Sequence, residues 1–192
     1  MLVKSILVLV YSLNKYIFIG SSVFYFAGRQ FMEKINVRRA TPKDIPRILE
    51  LLVQVDMVHH NARPDLFKGP ATKYSEEDLE EILGMEDADV FVSEDASGFV
   101  TGHAFCAHRQ VLDDAVLTDV RTLYIDDICV DEECRGRGVG HALYRHVKEY
   151  AKEQGFYNIT LNVYCCNPGA VKFYESLGLK PMKIGMEEIL QD

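Results

Sequence analysis

Between Ile35 and Leu179 the spacing of apolar residues switches repeatedly between a period of two and a period near 3.6, the pattern of strands exchanging with helices. INVRRA (35–40) reads as a short strand. Thr41 then stands as an N-cap with Pro42 at the first helical position, and Ile45, Ile48, Leu49 and Leu52 recur at helical spacing, which predicts a helix to about His59. NARPDLFKGPATKY (61–74) holds two prolines and a glycine and reads as a loop, after which Ser75 caps a second helix with an acidic first turn. DVFVSED (89–95), a turn at 96–98 and FVTGHAFCAHRQ (99–110) predict a hairpin. A loop over 112–122 leads into a further strand, TLYIDDICV, which runs straight into CRGRGVG (134–140). Beyond it, Val139, Leu143, Val147, Tyr150 and Ala151 mark one face of a helix that Gly155 is placed to end. NITLNVY (158–164) is the next strand, and Asn167 with Pro168 reads as the N-cap and first position of a last helix. No linker, repeat or low-complexity tract interrupts this alternation, so residues 32–192 read as one domain.

Residues 1–31 break the rhythm. Asn14 and Lys15 divide the stretch into apolar runs that are each too short to span a bilayer, and no A-x-A site follows the run after Lys4. Three readings stay open: an extension upstream of a start at Met32, a membrane segment, or a signal peptide. Membrane contact is expected only if this segment is native.

At 192 residues the chain is long enough for one domain with a real core and short for two. Its net charge of -8 is unevenly spread, because residues 1–31 hold Lys4, Lys15 and Arg29 and no acid, leaving 18 basic against 29 acidic groups elsewhere. Such a body repels nucleic acid and attracts cations or amines. Five cysteines, at 106, 129, 134, 165 and 166, form no C-x-x-C pair. They fit reduced thiols in a cytoplasmic protein, with neither a disulfide framework nor a metal site.

CRGRGVG sits between a strand and a helix, where unpaired first-turn amides and the helix dipole favour an anion and glycines let it approach the backbone. A Walker loop needs G-K-[ST], but Gly140 is followed by His141. A dinucleotide fingerprint needs G-x-G-x-x-G and an acid ending the next strand; here the spacing is G-x-G-x-G and the strand ends in Val163 and Tyr164.

Arg135 to Gly140 resembles the R/Q-x-x-G-x-G/A loop of the GNAT superfamily of acyl-CoA-dependent N-acetyltransferases. ICVDEECRGRGVGHALY is similar to that family's signature strand, loop and helix, and CNPGAVKFYESLGLKPM to its later helix and final strands. The resemblance covers about residues 35–192 in element order. It implies a mixed α/β fold whose central, mainly antiparallel sheet splays into a V, flanked by helices. It also implies acetyl-CoA as co-substrate, with its pyrophosphate on the backbone of Arg135, Gly136, Arg137, Gly138, Val139 and Gly140. The pantetheine arm would lie along the backbone of Ile128, Cys129 and Val130, and Asn167 would face the cofactor.

Acetyl transfer needs a neutral amine, donors for the developing oxyanion and a proton for the leaving thiolate. By the resemblance, Tyr174 in KFYES is the general acid; read from the residues alone it is a buried helix tyrosine on a stripe with Ala170 and Leu177. The base that some members carry on the strand after the glycine-loop helix falls here on Asn162, which takes no proton at neutral pH. YIDDICV is similar to the acidic strand of polyamine acetyltransferases and aligns Asp126 with their proposed base. Asp126 and Asp127 should face opposite ways unless a bulge intervenes. His59 and His60 read as capping or surface groups at a helix end.

The expectation is direct acetyl transfer, in a ternary complex, to a primary amine of a small molecule or a protein. The competing expectation is a binding module that holds acyl-CoA without turnover. A homodimer is compatible with either.

Overall fold

The computed structural model describes residues 16–19, 22–25 and 35–190, and the chain divides into two units between residues 33 and 34. In the first, β1 (Tyr16–Ile19) and β2 (Ser22–Tyr25) pair antiparallel. The three readings of residues 1–31 otherwise fall outside the described residues.

The second unit runs β3 (Asn36–Arg39), α1 (Ile45–Ala62), α2 (Glu76–Gly84), β4 (Ala88–Glu94), β5 (Val100–Arg109), β6 (Thr122–Val130), α3 (Val139–Glu153), β7 (Asn158–Leu161) and α4 (Pro168–Ser176). The sheet order is β3-β4-β5-β6-β7, antiparallel throughout except for the parallel pair β6–β7. This is a mixed α/β fold with a mainly antiparallel sheet between helices.

The period-two pattern of β4 explains both layers. Val90 and Val92 face α1 and α2, where Ile45, Ile48, Leu51, Leu52 and Leu79 are buried with Phe105. Phe91 points to the other side and packs with Ala104, Leu123 and Ile125 against Val139, Leu143 and Val147 of α3. Each fully buried Leu or Val contributes about 1.5–3 kcal/mol relative to exposure.

The elements depart from the sequence pattern at three places. Thr41 and Pro42 open a 3-10 turn, Pro42–Asp44, and α1 proper starts at Ile45. Asp44 closes that turn, accepting from the Thr41 amide at 2.7 Å and from both terminal nitrogens of Arg38 at 2.8 and 2.9 Å. Helix α1 continues beyond His59 to Ala62, and stops because Arg63 precedes Pro64 and is kept out of the helical region. Strand β7 ends at Leu161, short of Tyr164.

The final strands implied by the resemblance do not form: among the described residues no strand follows α4. Met182, Ile184 and Met186 alternate as a strand would, yet they are 75, 77 and 90% exposed. No buried face sets a register for them.

Strands β6 and β7 pair only from Thr122 to Ile125, against Asn158 to Leu161. From Asp127 to Val130, β6 keeps β5 on one edge and has no β7 partner on the other. The sheet therefore opens at this point.

Candidate active site

The glycine loop is held from behind by a clamp on the end of β6. Buried Asp131 accepts from the Glu133 amide at 2.9 Å and pairs with Arg47 of α1, whose Nε donates to the Val100 carbonyl at 3.1 Å. Beyond the clamp the chain turns through Gly136 at φ +75° and Gly138 at φ +87°, conformations that favour glycine. Gly138 is the N-cap of α3 and offers no side chain to the first turn. The amides of Val139, Gly140 and His141 find no acceptor among the described residues. A Cβ built on Gly136 or Gly138 meets no atom within 4 Å. Bare backbone and unpaired amides thus border open space, which fits an anion such as the pyrophosphate of coenzyme A. Arg135 is folded back, its Nε donating to the Val130 carbonyl at 3.1 Å, while Arg137 is exposed.

The edge of β6 that lacks a β7 partner continues from this loop. Ile128 and Val130 pack toward the α3 layer, and Cys129 toward α1, where its Sγ donates to the Leu51 carbonyl at 3.4 Å. Burial pushes that thiol up to about 12, so it is inert. The edge presents backbone groups, of which the Val130 carbonyl already accepts from Arg135.

Helix α4 closes the site from the side. Asn167 caps it, its Oδ1 accepting from the Ala170 amide at 3.1 Å, and Pro168 follows at the first position. Phe173 packs on the start of α3 so closely that a Cβ on Gly140 would lie 3.1 Å from its ring. Tyr174 follows, with its ring 5.3 Å from Phe173. Among the described residues nothing hydrogen-bonds its hydroxyl. Burial, and then the charge of Asp127, push the phenol above its ordinary range, so it holds its proton through neutral pH.

The opposite wall is acidic. In the β5–β6 ladder Phe105 pairs with Asp127 and Cys106 with Ile125, leaving Asp126 as the extra residue of a bulge. Both aspartates consequently lie on the α1 and α2 side of the sheet. Asp126 is engaged there: Lys73 forms an ion pair with it and the Tyr74 hydroxyl donates to it at 2.7 Å. Burial opposes its ionisation, but those two bonds outweigh it and leave the carboxyl below its ordinary range. Asp127 stands 3.7 Å from His103 Nε2, and Asp56 of α1 feels its charge.

Several groups here were not singled out from the sequence: Asp56, Lys73, Tyr74, His103 and Asp127 as a wall residue. The available signal was polarity on an apolar stripe. Asp56 follows Leu52 by four residues on α1, and His103 sits two before Phe105 on β5. Asn162 donates to the Tyr124 hydroxyl at 3.1 Å. His60 contacts the Phe67 carbonyl at 2.8 Å, and His59 stacks with Phe67 and Tyr164, so both serve the loop after α1.

The sequence model of the acetyltransferase (GNAT) family matches residues 55–179. Glucosamine 6-phosphate N-acetyltransferase 1 of Oryza sativa subsp. japonica is 30% identical over 98 residues, 50% of this chain and 56% of its own length. Thialysine N-epsilon-acetyltransferase of Sus scrofa is 36% identical over 62 residues, 32% of this chain and 36% of its own. The matches span between 26% and 56% of the curated relatives. A crystal structure of a variant of the BH1408 protein of Bacillus halodurans superposes with a TM-score of 0.78 at 29% identity, covering 81% of this chain and 99% of the other. Among the described residues no helix is long and apolar enough to cross a membrane.

Proposed function

Because the chain belongs to the acetyltransferase (GNAT) family, we propose that it transfers an acetyl group from acetyl-CoA to a primary amine by direct attack within a ternary complex. The observation that carries this reading is the bare, amide-lined loop at Gly136 and Gly138, continuous with a β6 edge left without a strand partner. The loop would hold the pyrophosphate through the amides of Val139, Gly140 and His141. Pantetheine would hydrogen-bond the backbone of Ile128 to Val130. That arrangement leads the thioester from the loop toward Tyr174 and the acidic wall.

Direct attack needs no nucleophilic side chain, and the one cysteine on the open β6 edge is withdrawn from the chemistry. Cys129 is buried, with its thiol raised well above neutral pH. Tyr174 serves as the acid: burial favours its protonated form, and among the described residues nothing else bonds its hydroxyl, so it is free to donate to the leaving sulfur. Asp126 orders the segment ahead of α2 through Lys73 and Tyr74, and contributes negative potential where a cationic acceptor would enter. Asn167 holds the start of α4, and through it the position of Tyr174.

The relatives are named for different amines, glucosamine 6-phosphate and thialysine. A primary amine is what these acceptors share, and the acidic wall favours one that arrives as an ammonium. The test is release of free coenzyme A thiol from acetyl-CoA across a panel of amino sugars, amino-acid derivatives, polyamines and peptide N-termini. Turnover with at least one acceptor is expected. Saturable acetyl-CoA binding with no thiol release from any acceptor would leave the binding-module reading in its place.

A further inference from the structure

The wall of the opening contains a buried imidazole that none of the described residues satisfies. His103 is 0% exposed, and neither ring nitrogen has a hydrogen-bond partner among the described residues. A buried polar group left without a partner costs about 1–3 kcal/mol. Such a group calls for a reason beyond packing. Its Nε2 lies 3.7 Å from Asp127, and among the described residues no donor hydrogen-bonds that carboxylate. Asp56 completes the group: its Oδ2 is buried without a partner, and burial followed by the charge of Asp127 holds its carboxyl above the ordinary range. Neighbouring Asp126 differs, since Lys73 and Tyr74 already occupy it. Two carboxylates without a bonded cation, backed by an unpartnered imidazole, form a site for a positive charge that also supplies a place for its proton.

We propose that Asp127, backed by the buried imidazole of His103, is the group that takes the proton from the acceptor amine. The assignment rests on the acetyl-transfer reading and names the chemistry of its acceptor, a primary ammonium held between Asp56 and Asp127. Asp127 accepts one ammonium proton, with His103 Nε2 3.7 Å away as the second group that can carry it. The freed nitrogen lone pair forms the C–N bond at the thioester carbonyl. As the C–S bond breaks, its electron pair leaves on sulfur, which takes the Tyr174 phenol proton. The second nitrogen proton restores the phenol through water. Of three ammonium protons, one stays on the amide, one is accounted for by the thiol, and one leaves to solvent through Asp127.

The test compares Asp127→Asn, Asp126→Asn and His103→Gln in the full-length protein, with His108→Gln as a control. His108 lies on β5 with His103, but it contacts Asp89 of β4 at 2.8 Å. Acetyl-CoA affinity and kcat/KM across pH are measured with the best acceptor of the amine panel. Asp127 acts on Asp56 of α1, Cys129 of β6 and Tyr174 of α4, and Asp56 also feels His59 of α1 and Lys73 ahead of α2. Asp127→Asn should lower kcat/KM by about 100- to 10,000-fold, the usual range for a lost general base. It should also remove the acid limb of the pH profile while leaving acetyl-CoA affinity within about threefold, a distinction that a purely structural role would not make. His103→Gln should cost less and move that limb's midpoint, and His108→Gln should change neither. If His103→Gln does not fold, the comparison of Asp127→Asn with Asp126→Asn decides. Activity within about tenfold of the unaltered protein in Asp127→Asn, or a larger loss in Asp126→Asn, overturns the assignment and leaves acetyl transfer standing. No turnover by the unaltered protein with any amine overturns the transfer reading itself and this assignment with it.

Discussion

Gly138→Ala separates the two demands that the loop makes on one residue. The backbone there has φ +87°, so any L side chain is strained, at about 1–2 kcal/mol. For a domain of this size that predicts a Tm lower by roughly 2–8 °C. The new methyl meets nothing in the chain itself, because the space beyond the Cβ position is open. That space is where the pyrophosphate would lie, and displacing one charge-assisted amide bond costs about 1.5–3 kcal/mol. Acetyl-CoA should therefore bind about 10- to 150-fold more weakly. Gly98→Ala isolates the strain: Gly98 has φ +83°, open surroundings, and a place in the β4–β5 turn, outside residues 134–140. Titration calorimetry and thermal denaturation of both variants give the comparison. Similar Tm losses with affinity lost only in Gly138→Ala are expected. Unchanged affinity in Gly138→Ala, or an equal loss in Gly98→Ala, would refute the phosphate-cradle argument.

Tyr174→Phe should lower kcat by roughly one to three powers of ten with acetyl-CoA affinity unchanged, and the loss should shrink with a more acidic leaving thiol. Since no partner among the described residues holds the hydroxyl, Tm should stay level or rise, and a fall of several degrees would show a structural bond instead. Acetyl-CoA should raise Tm by mass action and an analogue lacking the pyrophosphate should lose most of that gain, so equal gains in a thermal-shift titration would remove the loop from the binding site. Arg38 hydrogen bonds hold Asp44 at about 2, against 3.8 in the unfolded chain. A depressed carboxyl stabilises above its unfolded value, so about 2 kcal/mol present at neutral pH should be lost as pH falls through 4 to 2. Urea titrations should show that Asp44→Asn flattens this window, and an unchanged slope would deny the ion pair its role.

What the sequence made legible was what local chemistry encodes. Ser75 before three acids, Asn167 before Pro168 and Gly155 after an amphipathic run each specify an end of a helix without help from the rest of the fold. The loop at 134–140 could be placed for the same reason, since its glycines and the helix they open are contiguous. The acidic wall was hidden because its members come from α1, β5 and β6, and only the sheet register brings them together. Lys73 could not be assigned either: its place beside Asp126 depends on how the segment after α1 folds back.

The least legible feature is also the one on which the site depends most. A strand read as a strict alternation puts Asp126 and Asp127 on opposite faces, and nothing in TLYIDDICV announces otherwise. The bulge leaves Asp126 unpaired, carries Asp127 opposite Phe105, and turns both acids to one side. It comes directly after Ile125, the last residue of β6 to pair with β7. A bulged strand bends and twists more strongly than a regular one, so the irregularity that gathers the acids also accounts for β6 leaving β7. One extra residue in the ladder thus gives the open edge proposed for pantetheine and the co-facial carboxylates proposed for the amine. The places proposed for donor and acceptor meet at one point of the sheet because both arrangements follow from the same break in its register.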